Sequence, residues 1–242
     1  HDKDTDGWIS LSVPFTSVVI FNPITGESGK ALVDQIEGKK KVKLQLKSGE
    51  SLILKIFTNE DVNIQPWKYR SEKPSEIIEL KNPWKLYFIN SEPQVNDTLH
   101  LQTLKSWTKT GNELLQINMG TGIYETTFNI DKLHQGALYV MQLGDVRESA
   151  RVFVNGKDAG IVWAAPFECT IGKFLKQGEN TLRIEVTNLP ANRIADYDRR
   201  NVKWRIFNEI NFVDRNYKAT GYAHWKPMES GLCSPVKIEV FE

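Results

Sequence analysis

The chain has 242 residues, 40% of them hydrophobic and 25% charged, which suits one large all-β domain or two smaller ones. Lys and Arg total 31 against 30 Asp and Glu, so no strong field exists to recruit nucleic acid or acidic lipid, and no nucleic-acid partner is expected. No apolar run approaches the length that crosses a bilayer, so no membrane-spanning segment is expected either.

The opening Asp2-x-Asp4-x-Asp6-Gly7 imitates a calcium loop, but its twelfth position is Val13 rather than a bidentate Glu. A polar, frayed start is the expectation, with no metal ligand. From Trp8 to about Phe57 the pattern is strand-like. Val18 to Phe21 is a continuous apolar run, ended by the turn residues Asn22-Pro23 and Thr25-Gly26. Lys41, Lys43, Gln45 and Lys47 alternate with Val42, Leu44 and Leu46, so the basic run Lys39–Lys43 reads as one face of a strand rather than a binding patch. Ser48-Gly49-Glu50 then turns the chain into a strand over 51–57. A polar stretch containing Pro66, Pro74 and Pro83 follows, which divides the chain into a small or partial sandwich (1–65), a linker (66–83) and a second domain (84–242).

The second domain opens at Trp84–Phe88. Further strands are predicted at Gly122–Asn129, Gly136–Gln142, Ala150–Asn155, Thr181–Asn188 and Pro235–Phe241. Ala150, Val152 and Val154 alternate with Arg151, Phe153 and Asn155, and Asn155-Gly156 supplies the positive-φ residues of a tight hairpin. Leu182, Ile184 and Val186 repeat that alternation, as do Val236, Ile238 and Val240. Single helical turns are expected at 101–107 and 171–175, and the polar stretch 188–204 reads as a long loop. The fold class is therefore all-β, with two antiparallel β-sandwich domains.

The order of these features carries a resemblance. Residues 150–196, ARVFVNGKDAGIVWAAPFECTIGKFLKQGENTLRIEVTNLPANRIAD, follow WKLYF (84–88), SWT (106–108), GIYETTF (122–128) and LGDV (143–146). Upstream stand VVIFNPITGESGKA and VKLQLKSGESLILKIF. Together they resemble the C-terminal β-sandwich region of family 106 α-L-rhamnosidases, whose last module is a family 2 type sugar-binding, galactose-binding-like jelly roll. That family often carries Asn-Arg-Leu-x-Gly-Asp after the central strand, where this chain has Asn192-Arg193-Ile194-Ala195-Asp196, with Ala195 in place of Gly. The resemblance implies catalytic carboxylates on a barrel upstream. It implies a non-catalytic accessory region of a polysaccharide-degrading enzyme, periplasmic or secreted, bracing that catalytic domain and contacting carbohydrate. Calcium supports many similar jelly rolls, so a structural calcium is the one cofactor to consider. Two other readings stand beside this one: an independent carbohydrate-binding module, and a purely structural interaction sandwich. Beginning at His1, the chain is expected to be a piece of something longer.

No acid/base pair can be assigned, so no catalytic residue is named. His100, His134 and His224 are scattered without metal-ligand spacing. Sugars are recognised by aromatic rings stacking on their apolar faces, with polar neighbours fixing the hydroxyls. The carbohydrate-binding candidates are accordingly Trp163, Asn192, Arg193, Asp196, Tyr197, Trp204, His224 and Trp225. Trp163 stands at a strand end, fit either to plug the core or to project at a rim. Arg193 and Asp196 fit either sugar contact or an internal ion pair holding the loop to the sandwich. Cys169 and Cys233 are too few for a disulfide scaffold and wrongly spaced for zinc, and read as two small buried thiols rather than one bridge.

Overall fold

A computed structural model describes residues 3–71, 73–206, 215 and 221–242, so Asp2 of the opening acidic motif lies outside the described residues. The chain divides into two units: one runs to Lys73 and takes in Ala164–Pro166, the other comprises Pro74–Trp163 and Phe167–Glu242.

The first unit contains β1 (Thr5–Ser10), β2 (Ser17–Phe21), β3 (Ser28–Lys30), β4 (Val33–Ile36), β5 (Lys39–Leu46) and β6 (Ile53–Phe57). They form two three-stranded antiparallel sheets, β1-β5-β4 and β3-β2-β6. Phe15, Val18, Ile20, Ala31, Val42 and Leu44 make the core between them. From Asp4 onward the opening segment is not frayed. β1 pairs with β5 from Thr5 onward, Asp6 forms an ion pair with Lys43, and the Ser48 N–H donates to Asp4 at 2.8 Å. Asp4 and Asp6 of the calcium-like opening are thus engaged beside the paired strands.

The stretch 66–83, expected as a linker, is divided between the units. Trp67 donates its N–H to the Lys30 carbonyl at 2.8 Å, and the Tyr69 hydroxyl bridges the Leu32 N–H (3.0 Å) and the Lys43 carbonyl (2.9 Å). Beyond Lys73 the chain enters β7 (Glu76–Glu79), which belongs to the second unit. Proline and charge marked the polarity of this stretch correctly, but its backbone groups still needed partners and found them on the adjoining sheets.

The second unit continues with β8 (Trp84–Glu92), β9 (Leu99–Leu101), β10 (Met119–Ile130), β11 (Leu138–Gln142), β12 (Val146–Arg147), β13 (Ser149–Val154), β14 (Lys157–Val162), β15 (Glu168–Thr170), β16 (Gly178–Thr187), β17 (Gly231–Leu232) and β18 (Lys237–Phe241). A six-stranded antiparallel sheet, β14-β13-β16-β10-β8-β9, is accompanied by a four-stranded one, β15-β11-β18-β7, and by the short β12-β17 pair. The predicted alternation holds: Ala150, Val152, Val154, Leu182, Ile184, Val186, Val236, Ile238 and Val240 are all buried in one core with Trp84, Trp107, Tyr124 and Tyr139. Asn155 and Gly156 have φ of 51° and 75°, the left-handed pair that a two-residue hairpin requires.

Among the described residues two short helices also occur, α1 (Glu113–Gln116) and α2 (Ala191–Arg199). The second corrects the reading of 188–204 as a loop. Its buried residues, Asn192, Arg193, Ala195 and Asp196, lie at helical spacing, so the period is present but written in polar side chains. A search for apolar periodicity passes over such a helix. The single turns fall at Trp107–Lys109 and Gly172–Phe174.

Candidate functional site

The richest gathering of polar and aromatic side chains lies around α2, at the end of the second unit where β8 and β16 finish and β10 begins. Asn188, just past β16, anchors the entry to the helix. Its side chain accepts from the Gly120 N–H at 2.9 Å and donates to the Asn118 carbonyl and the Ser230 hydroxyl, each at 3.0 Å. Asn192 then clasps the Met228 backbone in both directions, donating to its carbonyl at 2.8 Å and accepting from its N–H at 2.7 Å.

Arg193 is the centre of the arrangement. Its Nη1 meets Asp196 Oδ2 at 2.8 Å, and its Nη2 meets Glu92 Oε1 at 3.0 Å. Tyr197 donates its hydroxyl to the same Glu92 oxygen, and the Arg193 guanidinium lies 4.5 Å from the Tyr197 ring centroid. Arg200 reaches back to Asp196 at 2.8 Å, so one carboxylate joins two guanidinium groups along one helix face. The Tyr197 hydroxyl, and after it Arg193, holds the Glu92 carboxyl below its ordinary range. Burial works against the charge of Arg193, yet bonds to Glu92 and Tyr197 outweigh it and raise its affinity for the proton.

A second layer is centred on Asp198. It accepts from the Trp204 indole N–H at 2.7 Å, the Tyr222 N–H at 2.7 Å and Arg205 at 3.1 Å. Burial disfavours its charge, but the Tyr222 and Trp204 donors prevail and lower its pKa. Tyr222 and Trp225 bring their ring centroids to 4.6 Å, and Arg199 donates to the carbonyls of Ala223 and Trp225 at 2.9 and 2.7 Å. Beneath these layers the Trp107 indole donates to the buried Tyr124 hydroxyl at 2.6 Å, which itself accepts from the Leu232 N–H at 3.1 Å. Gly231, at φ 94°, fits against both rings, since a Cβ there would collide with the Trp107 indole nitrogen and the Tyr124 oxygen.

The structure therefore brings Asn192, Arg193, Asp196, Tyr197, Trp204 and Trp225 into one neighbourhood. Arg193 and Asp196 form the internal ion pair. His224 is exposed beside Trp225. Trp163 stands apart, 62% exposed just past the edge strand β14, at a rim and not in the core. Asp198 and Arg200 fall within the polar stretch 188–204 singled out from the sequence, whereas sequence reasoning missed Glu92. Glu92 lies 101 residues before Arg193, and no local spacing links the two.

Among the described residues one group has metal-ligand chemistry, Asp145, Glu229 and Cys233, whose ligand atoms lie within 4.8 Å of one another. Its carboxylates already face cations: Arg147 pairs with Asp145 at 2.7 Å, and Lys109 pairs with Glu229. Burial pushes the Cys233 thiol up to about 11, away from the thiolate a metal needs. The set suits internal ion pairing better than calcium, which takes six to eight oxygens. Cys169 and Cys233 are both free thiols and only partly buried by overall exposure, short of the full burial expected of them.

Among the described residues, no helix is long and apolar enough to cross a membrane. No family model matches the chain. The fold is of the glycoside-hydrolase β-sandwich type, and matches a rhamnosidase from Novosphingobium sp. PP1Y over 100% of this chain, with a TM-score of 0.74 and 22% identity. In sequence, a putative beta-glucuronidase from Formosa agariphila is 32% identical over 181 residues, 67% of this chain. The chain spans only 16% of the length of that relative and 22% of the rhamnosidase chain. It is a glycoside hydrolase-related β-sandwich region.

Proposed function

We propose that this chain is an accessory region of a polysaccharide-degrading, α-L-rhamnosidase-like glycoside hydrolase, without catalytic groups of its own. It braces a catalytic domain carried elsewhere in the same polypeptide, in a periplasmic or secreted enzyme. The second unit is a galactose-binding-like module in this reading, and α2 is its brace. One observation carries the proposal: the side chains of α2 that look like sugar ligands are bonded inward. Asn192 is held by Met228, Arg193 by Glu92 and Asp196, and Asp198 by Trp204 and Tyr222. A sugar subsite leaves such groups open to the ligand, whereas a structural clasp satisfies them within the protein. The names of the similar proteins support a glycan substrate for the whole enzyme.

Two measurements test this. The isolated chain, assayed over aryl glycosides that include α-L-rhamnosides and β-D-glucuronides, stays at the buffer rate; turnover abolished by one carboxylate substitution here would sink the proposal. In the full-length polypeptide, Arg193→Ala lowers the unfolding temperature and leaves kcat/KM intact. A drop in kcat/KM at unchanged stability would instead place the helix at the substrate.

A further inference from the structure

The outward face of the six-stranded sheet carries a groove of about 780 Å³, separate from α2 and from every residue singled out above as a sugar ligand. Its floor is β10 and β16. Asn82 stands at one side, before β8, and Phe153 at the other, on β13; Glu125, Thr127, Thr181 and Arg183 are among the residues between them. From β13 to β8 is three strand spacings, about 14 Å, enough for a short run of sugar units. The volume lies in the ordinary range for small-molecule sites.

The chemistry of the floor is unusual for a merely solvated face. Glu125 and Arg183 are direct cross-strand partners, the arrangement in which opposite charges normally close on each other. Here each is held from the side by someone else. Glu125 accepts from the Tyr87 hydroxyl at 3.1 Å and from Lys85 at 3.4 Å, while Arg183 meets Glu185 at 2.6 Å. Arg183 is also fixed over the Phe153 ring, 4.3 Å from its centroid. Asn82 is pinned by donating to the Thr127 carbonyl at 2.9 Å. The groove's polar groups are thus oriented before any ligand arrives, which lowers the ordering cost of binding. A carboxylate accepts up to about four hydrogen bonds and a guanidinium donates five, so both retain capacity after these contacts.

We propose that this groove is a glycan-binding site, in which adjacent hydroxyls of a neutral sugar unit donate to Glu125 and accept from Arg183, with Phe153 as the apolar wall. A donor and an acceptor set one strand apart match a vicinal diol, and one positive and one negative group give the floor no net preference for a charged sugar. The proposal rests on the carbohydrate reading above but not on the role of α2.

Native affinity electrophoresis of the chain in gels containing galactomannan, a neutral soluble polysaccharide, tests it. Galactomannan retards the wild type. The apparent Kd rises at least tenfold in Glu125→Gln, in Arg183→Gln and in Thr181→Trp, and is unchanged in Ile77→Ala, an exposed position on β7 of the other sheet. Thr181 is exposed, so filling the groove there leaves the core alone and keeps the test valid if a charge variant fails to fold. Retardation that survives Thr181→Trp overturns the groove site, as does no retardation of the wild type. Loss of retardation in Trp225→Ala alone also overturns it, and moves carbohydrate binding to the α2 end. None of these outcomes touches the bracing role, which is judged by stability and kcat/KM in the full-length polypeptide.

Discussion

At one end of the second sandwich the Asn155–Gly156 hairpin is closed by near neighbours in sequence, while at the other end α2 is fastened by distant ones. Asn155 donates to the Phe174 carbonyl at 2.9 Å and to Asn180 Oδ1 at 2.7 Å, and accepts from the Thr181 N–H at 3.0 Å, partners 19 to 26 residues away. Arg193 and Tyr197 depend on Glu92, 101 and 105 residues earlier, and Asn192 on Met228, 36 later. The hairpin combines a turn chemistry that only a few residue types satisfy with apolar alternation on both flanking strands. The helix has neither. It exists because its polar face meets a matching polar surface, a tertiary fact. Local consistency and long-range complementarity are both routes to order, but only the first is written in neighbouring residues.

The sharpest way to break the comparison is to remove its long-range fastener. Arg193→Ala leaves Asp196, with a side chain only 10% exposed, facing Arg200 alone, and leaves Glu92 with Tyr197. Breaking a buried pair from one side costs about 3 kcal/mol. Urea unfolding of the isolated chain measures it. A loss below about 1 kcal/mol would mean that α2 is held by its backbone and not by its charges.

The hairpin is expected to yield less. Asn155→Ala removes three hydrogen bonds and puts a residue with no αL preference at φ 51°. Solvent and Gly156 make up part of the loss, giving about 1–2 kcal/mol. Asn155→Gly, which keeps the turn but not the bonds, separates the two contributions. If it is as stable as wild type, the bonds count for nothing and the turn is all.

This contrast also explains what could be read from the sequence. Val152, Ile184 and Ile238 were placed inward by period-two alternation, because a strand's burial is a local property of its pattern. The Asn-Gly turn was legible for the same reason. The strands missed were short or edge pieces, such as β3, β7 and β17, whose two to four residues cannot show a period. At the candidate site, Arg193 and Asp196 were visible as a pair because they sit three apart. Glu92 was not, since a carboxylate before Pro93 at a strand end looks like any solvent-facing charge. Nor did sequence give the pairing of Glu125 with Arg183, because strand register must be known before two residues become neighbours.

A smaller effect separates the ends by pH. Tyr197 and Arg193 hold the Glu92 carboxyl below its ordinary value of 4.5, so its contribution is fully present above that value and is lost as pH falls through the depressed folded value. Asn155 does not titrate, so the hairpin end has no such dependence at this residue. Glu92→Gln therefore flattens the acid limb of the stability curve below about pH 4.5. Parallel acid limbs for variant and wild type would show that Glu92 is not a fastener.

The smallest expected difference lies in the two thiols. Cys169 sits in the middle of the second unit's four-stranded sheet edge, on β15, while Cys233 follows β17 beside Asp145 and Glu229 at the α2 end. Burial, helped by Glu168, pushes the first up to about 12; burial, helped by Asp145 and Glu229, pushes the second to about 11. Only the thiolate attacks an alkylating agent. At pH 8 both thiols lag a free thiol, and Cys233, the less strongly shifted of the two, reacts with iodoacetamide faster than Cys169. Peptide mass mapping after timed labelling reads the two rates directly. If Cys169 is modified first, the sheet edge opens more readily than the α2 end.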